Sequence, residues 1–110
     1  MENKIVLENG VVIEACAPEL VEYVAKTPDV CKMDLAQNQA ILEHKHGNSM
    51  YFSKDVKALT VEGQKYPLPQ TAWVFIPQGV SHGWADTQQT KHGEVLSYHQ
   101  DHRQYSLISI

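Results

Sequence analysis

The chain breaks into short apolar or alternating segments separated by turn residues, and no long stretch sustains a helical period. Val30 to Leu35 sets the pattern: Cys31, Met33 and Leu35 fall on one face, and Val30, Lys32 and Asp34 on the other. Trp73-Val74-Phe75-Ile76 is a continuous apolar run stopped by Pro77. Asn9-Gly10 and Glu62-Gly63 mark hairpin reversals. Further strands are expected at 4–7, 11–15, 40–46, 51–53, 58–61, 64–68, 94–100 and 105–110, and one opens near His82. About nine or ten strands at even spacing predict an all-β sandwich or closed barrel. Pro18 to Lys26 is ambiguous. Pro18 suits a first helical turn, and Leu20, Val21 and Val24 have helical spacing, but Val21, Tyr23 and Val24 are good strand formers. The surrounding strands tip the expectation toward strand.

A length of 110 residues allows one core, so residues 1–110 are expected to form a single domain. Nine Lys plus Arg against thirteen Asp plus Glu give a formal charge of −4. That balance lacks the basic footprint of a nucleic-acid binder. The longest apolar runs are too short for a membrane span. Met-Glu-Asn-Lys at the start carries no apolar signal core, so a cytoplasmic location is expected. Cys16 and Cys31 are then expected to be reduced thiols, buried as small hydrophobes.

Six histidines are many for this length: His44, His46, His82, His92, His99 and His102. His44-Lys45-His46 puts two imidazoles two residues apart on an expected strand, hence on one face. Pro77-Gln78-Gly79-Val80-Ser81-His82 places a tight reversal before another histidine. Neutral imidazole is the commonest ligand for transition metals. His92 and His102 sit in polar segments and read as solvated. His99 shares strand parity with Val95 and Ser97 and is a candidate fourth ligand or proton carrier. If His82 points inward, Trp84 does too, and forms a pocket wall. Trp73 and Phe75 read as core or interface rings.

An H-x-H strand, a hairpin with a Gly turn, and an apolar strand entering P-x-G-x-x-H together resemble the cupin superfamily. The matching residues are Ala40 to His46, Val61-Glu62-Gly63 and Trp73 to His82, preceded by Met33 to Ala36. The resemblance implies a double-stranded β-helix, the jelly-roll-like cupin barrel, with a metal inside its mouth. It implies His44, His46 and His82 as metal ligands and a divalent Zn, Fe, Ni or Mn ion as cofactor. Four positions depart from the family pattern. Met50 or Tyr51 stands where cupins carry a glutamate, and Lys57 or Ala58 where they carry a glycine. Thr71-Ala72 replaces the usual Gly-Asp, and Asp86 stands where an asparagine often follows. Glu43 alternates with His44 and has the wrong parity to replace the glutamate. Three neutral histidines plus water remain a known metal site.

Three functions stay open. One is a metal-dependent enzyme acting on a small molecule, of dioxygenase, lyase or isomerase type, with Tyr51 or His99 as acid or base and Met50, Tyr51 and Trp84 lining the ligand. The second is a non-catalytic small-ligand sensor or binding module. Tyr66-Pro67-Leu68, Phe75-Ile76-Pro77 and His82 resemble the sensor half of arabinose-type regulators. The third is a metal-free structural cupin. Small cupins commonly dimerise, and the apolar ends Ile5-Val6 and 106–110 predict a homodimer.

Overall fold

The computed structural model describes residues 4–45, 47–88, 92–98 and 107–110. The described elements are strands β1 (Lys4–Val6) and β2 (Val12–Ala15), helix α1 (Pro18–Ala25), and strands β3 (Cys31–Ala36), β4 (Gln39–His44), β5 (Ser49–Lys54), β6 (Val56–Val61), β7 (Gln64–Pro67), β8 (Thr71–Ile76), β9 (His82–Thr87), β10 (His92–Ser97) and β11 (Leu107–Ser109). They form two antiparallel sheets, ordered β1-β2-β8-β5-β10-β3 and β11-β4-β9-β6-β7. The all-β expectation is met, but among the described residues the two sheets do not hydrogen-bond into a closed barrel. From β3 to β10 the pairing is nested about the β6–β7 turn: β6 with β7, β5 with β8, β4 with β9, and β3 with β10.

The core lies between the sheets and follows the strand period. Met33 and Leu35 of β3, Ala72, Val74 and Ile76 of β8, and Leu59 and Val61 of β6 are all buried. Trp73 and Phe75, on the opposite parity of β8, are half-buried. The expected hairpins form at residues 7–11 and at Glu62-Gly63. The Pro77–Val80 reversal closes through a Val80 N–H donated to Pro77 O at 3.3 Å, with Gly79 at φ +80°. A positive φ at the third position of such a turn favours glycine.

The expectation of strand over Pro18 to Lys26 is wrong, because Pro18–Ala25 form α1. The reason is tertiary. Leu96 and Phe52 project from the outer face of the larger sheet, and Val21 and Val24, three apart, cover them. Burying each valine contributes about 1.5–3 kcal/mol, more than the weak strand preference of Val and Tyr. Pro18 opens the helix without losing a needed donor. Thr27 Oγ1 donates to Val24 O at 2.7 Å and helps to end it.

Candidate functional site

The site is built at the end of the sandwich where β4 finishes and β9 begins. His82 pairs directly with His44 across these strands, and Trp84 pairs with Ile41. Between those pairs β9 advances two residues while β4 advances three, so β4 carries a β-bulge at Leu42-Glu43. The bulge resets the parity of β4. Ile41 and His44, an odd number apart, therefore both lie on the face shared with His82 and Trp84. Leu42 is turned out and is 48% exposed.

Both imidazoles are tied to the backbone in the same way. His44 Nδ1 lies 2.9 Å from Leu42 O, and His82 Nδ1 lies 2.9 Å from Val80 O. A carbonyl only accepts, so Nδ1 carries a proton in each ring, and in a neutral imidazole held this way Nε2 is the nitrogen that can accept. The two ring centroids are 4.6 Å apart. Across the interior, Tyr51 of the larger sheet donates its hydroxyl to His82 Nε2 at 2.8 Å, a buried bond. Tyr51 in turn meets Trp84 edge-on, with centroids 5.2 Å apart. A contiguous line of rings thus runs from His44 through His82 and Tyr51 to Trp84. Burial raises the Tyr51 pKa from 10.0 to about 12, against a weaker opposing effect of Ser49, so the phenol keeps its proton at neutral pH.

Tyr51, and not Met50, faces the interior beside His82. Met50 has the opposite parity on β5 and is 47% exposed, so its expected role in lining the ligand is not supported. Trp84 is fully buried, and its indole N–H has no acceptor among the described residues. Ser53 Oγ, also buried, has none either. A buried donor without an acceptor costs about 1–3 kcal/mol.

Glu43 has a structural task. Its carboxylate accepts from Ser81 Oγ at 2.7 Å and from Gly63 N–H at 2.8 Å. It thereby ties the β4 bulge to the two neighbouring turns. His92 opens β10, so the strand begins two residues before the expected start at 94, and its Nε2 lies 2.9 Å from Asp34 Oδ1 on the exposed surface. Asp86 lies near the far end of β9, where its carboxylate accepts from Asn38 N–H and Thr87 N–H. Cys16 and Cys31 are free thiols. Burial, with Glu14 nearby, raises the Cys16 pKa. His46, His99 and His102 lie outside the described residues. Among the described residues, no three His, Cys, Asp or Glu side chains gather into a group that could hold a metal ion.

The sequence reading missed Gly83. A Cβ at this position would lie 2.4 Å from Ile41 O. An isolated glycine inside a strand pattern, between His82 and Trp84, was the available signal. No described helix is long and apolar enough to cross a membrane. Comparisons with family models, with curated proteins and with solved structures find no match.

Proposed function

We propose that this chain is a small jelly-roll protein of the cupin type that holds a divalent transition metal through His44, His46 and His82 and takes a small molecule beside it. The nested pairing of β3 to β10 supports the jelly-roll reading, since two strands folded together into two packed sheets give that order. The observation that carries the metal reading is the matched anchoring of His44 and His82. Metal-ligating histidines commonly donate their second nitrogen to a backbone carbonyl, which fixes the tautomer and aims the lone pair. Two imidazoles sharing one ion at about 2.0–2.1 Å have centroids roughly 4.5–5 Å apart. The 4.6 Å separation fits that geometry. By the H-x-H spacing, His46 would supply the third nitrogen.

A bound Zn, Fe, Ni or Mn ion would supply Lewis acidity or a site for an oxygen ligand. The chain's own residues do the rest. Leu42 O and Val80 O hold the two imidazoles in register. The Tyr51 hydroxyl is a protonated donor that caps His82 Nε2, and it would have to give up that bond for the nitrogen to hold an ion. Trp84 Nε1–H offers a hydrogen bond to an acceptor on the small molecule. Dioxygenase, lyase and isomerase chemistry are all compatible with such a site.

The Tyr51–His82 hydrogen bond favours a second reading, a metal-free binding module in which the imidazole and phenol recognise a polar ligand directly. Equilibrium dialysis against Zn, Ni, Mn and anaerobic Fe separates the two. The metal reading expects one ion per chain, lost in His82→Ala. Saturable small-molecule binding with no ion retained would favour the module. We also propose a homodimer through the exposed edges β1 and β11, where Ile5, Val6, Leu107 and Ile108 are uncovered. Light scattering at monomer mass would refute it.

A further inference from the structure

The His44–His82 pair depends on a residue that carries no side chain. Gly83 lies on β9 between His82 and Trp84, opposite the stretch where β4 bulges. A Cβ there would lie 2.4 Å from Ile41 O, 2.8 Å from Thr60 Oγ1 and 3.1 Å from Glu43 N. Two of those three atoms belong to the bulged backbone itself, which a rotamer change cannot move. Its φ is unremarkable, so close approach alone accounts for the glycine. The bulge in turn is what lets Ile41 fill the core while His44 faces His82. Without the extra residue, regular alternation from Ile41 would turn Glu43 inward and His44 outward.

We infer that Gly83 is a positioning residue for the candidate site, acting through the β4 bulge to hold the His44 imidazole against His82. Glu43 is the second part of the device. Its carboxylate bridges Ser81, next to His82, and Gly63 in the β6–β7 turn, and so pins the bulge from outside. The ion-binding consequence rests on the metal reading above, whereas the ring geometry does not. The two are therefore read separately.

The experiment compares the full chain with Gly83→Ala, and with Gly83→Ala combined with deletion of Leu42. Leu42 is the outward residue of the bulge, and its removal makes β4 and β9 advance equally between the Ile41 and His44 pairs. The methyl added by Gly83→Ala then has no bulged carbonyl to meet, and Ile41 and His44 are two apart and still share a face. Ring-to-ring contact is read by NMR on ring-labelled histidine, and ion affinity by titration with Zn. Gly83→Ala is expected to lose the His44–His82 contact while His82 keeps its Nδ1–H tautomer, and to weaken Zn binding at least tenfold. The deletion is expected to restore the contact and most of the affinity. If Gly83→Ala keeps the contact, the inference is wrong. If it fails to fold, the compensated chain decides: rescue of fold and contact supports the inference, and no rescue overturns it. If the contact behaves as expected but the parent chain binds no Zn, the metal reading fails and the positioning role stands.

Discussion

The two ends of the sandwich use polar side chains in opposite ways. At the far end, the β3–β4, β5–β6 and β7–β8 connections and the end of β9 border an open cavity of ≈ 840 Å³ lined by Asp55, Lys57, Gln70, Asp86 and Gln88, among others. There the polar groups close turns. Asp86 accepts two backbone N–H groups, and Gln88 Nε2 donates to Val56 O and Leu68 O. At the near end, His44 and His82 each commit Nδ1 to a backbone carbonyl, and His82 Nε2 accepts from Tyr51. The far end spends its hydrogen-bonding capacity on the fold. The near end spends it on aiming two rings at one another, held by a bulge and a glycine that no turn requires.

The largest expected effect that would break this contrast is at His82. His82→Ala should reduce divalent-ion affinity by more than about 100-fold and cost about 2–3 kcal/mol through the lost Tyr51 bond and the cavity left behind. Ion titration and thermal unfolding read the two effects on one sample. Retained affinity would reduce the near end to packing, no different in kind from the far end.

Tyr51→Phe comes next. It should cost about 1–2 kcal/mol, because His82 Nε2 loses its donor in a buried place. It should leave ion binding equal to the parent or tighter, since the competing hydroxyl is gone. The alkaline limb carries a sign that can be checked. Tyr51 ionises near 10 when unfolded and at about 12 when folded. The folded chain therefore holds the proton more tightly, and stability falls as pH rises from 10 toward 12. Tyr51→Phe should flatten that fall and remove the last phenolate absorbance step. An unchanged slope would mean that the phenol is not held as described.

The smallest effect is expected at the far end. Asp86→Asn should cost no more than about 1 kcal/mol in stability, because the carboxylate is largely solvated and asparagine, unlike alanine, tolerates the left-handed φ of +61° at this position. Ion affinity should not move. The backbone donors of Asn38 and then Thr87 hold the Asp86 pKa below 3.8. Its contribution is therefore full above the unfolded value and is lost as pH falls below it. Acid unfolding of Asp86→Asn, which keeps an acceptor without the charge, should show less dependence on pH below about 4 than the parent.

What could be read in advance divides along the same line. Local chemistry was legible. Glu62-Gly63 and Pro77-Gln78-Gly79 reverse where their backbone preferences demand, and the alternation of Met33 and Leu35 marks the buried face of β3. Non-local chemistry was not. The helix over Pro18–Ala25 exists because Phe52 and Leu96 need a cover, which no window around Pro18 reveals. Met50 and Tyr51 were equal candidates until the register of β5 gave the interior to Tyr51. The bulge in β4 follows from its pairing with β9, and Gly83 was its one local trace. Closure was likewise a question of which strands pair, and among the described residues the two sheets are separate hydrogen-bonded units.

The central claim is that the near end is a metal centre assembled from His44, His46 and His82. Anomalous scattering at the absorption edge of the metal retained by the purified full-length chain tests it most directly. The account predicts one peak per chain, within about 2.0–2.2 Å of the Nε2 atoms of His44 and His82, with His46 as a third ligand. A crystal grown with excess Zn that shows no peak there, with the Tyr51–His82 hydrogen bond intact, would contradict it.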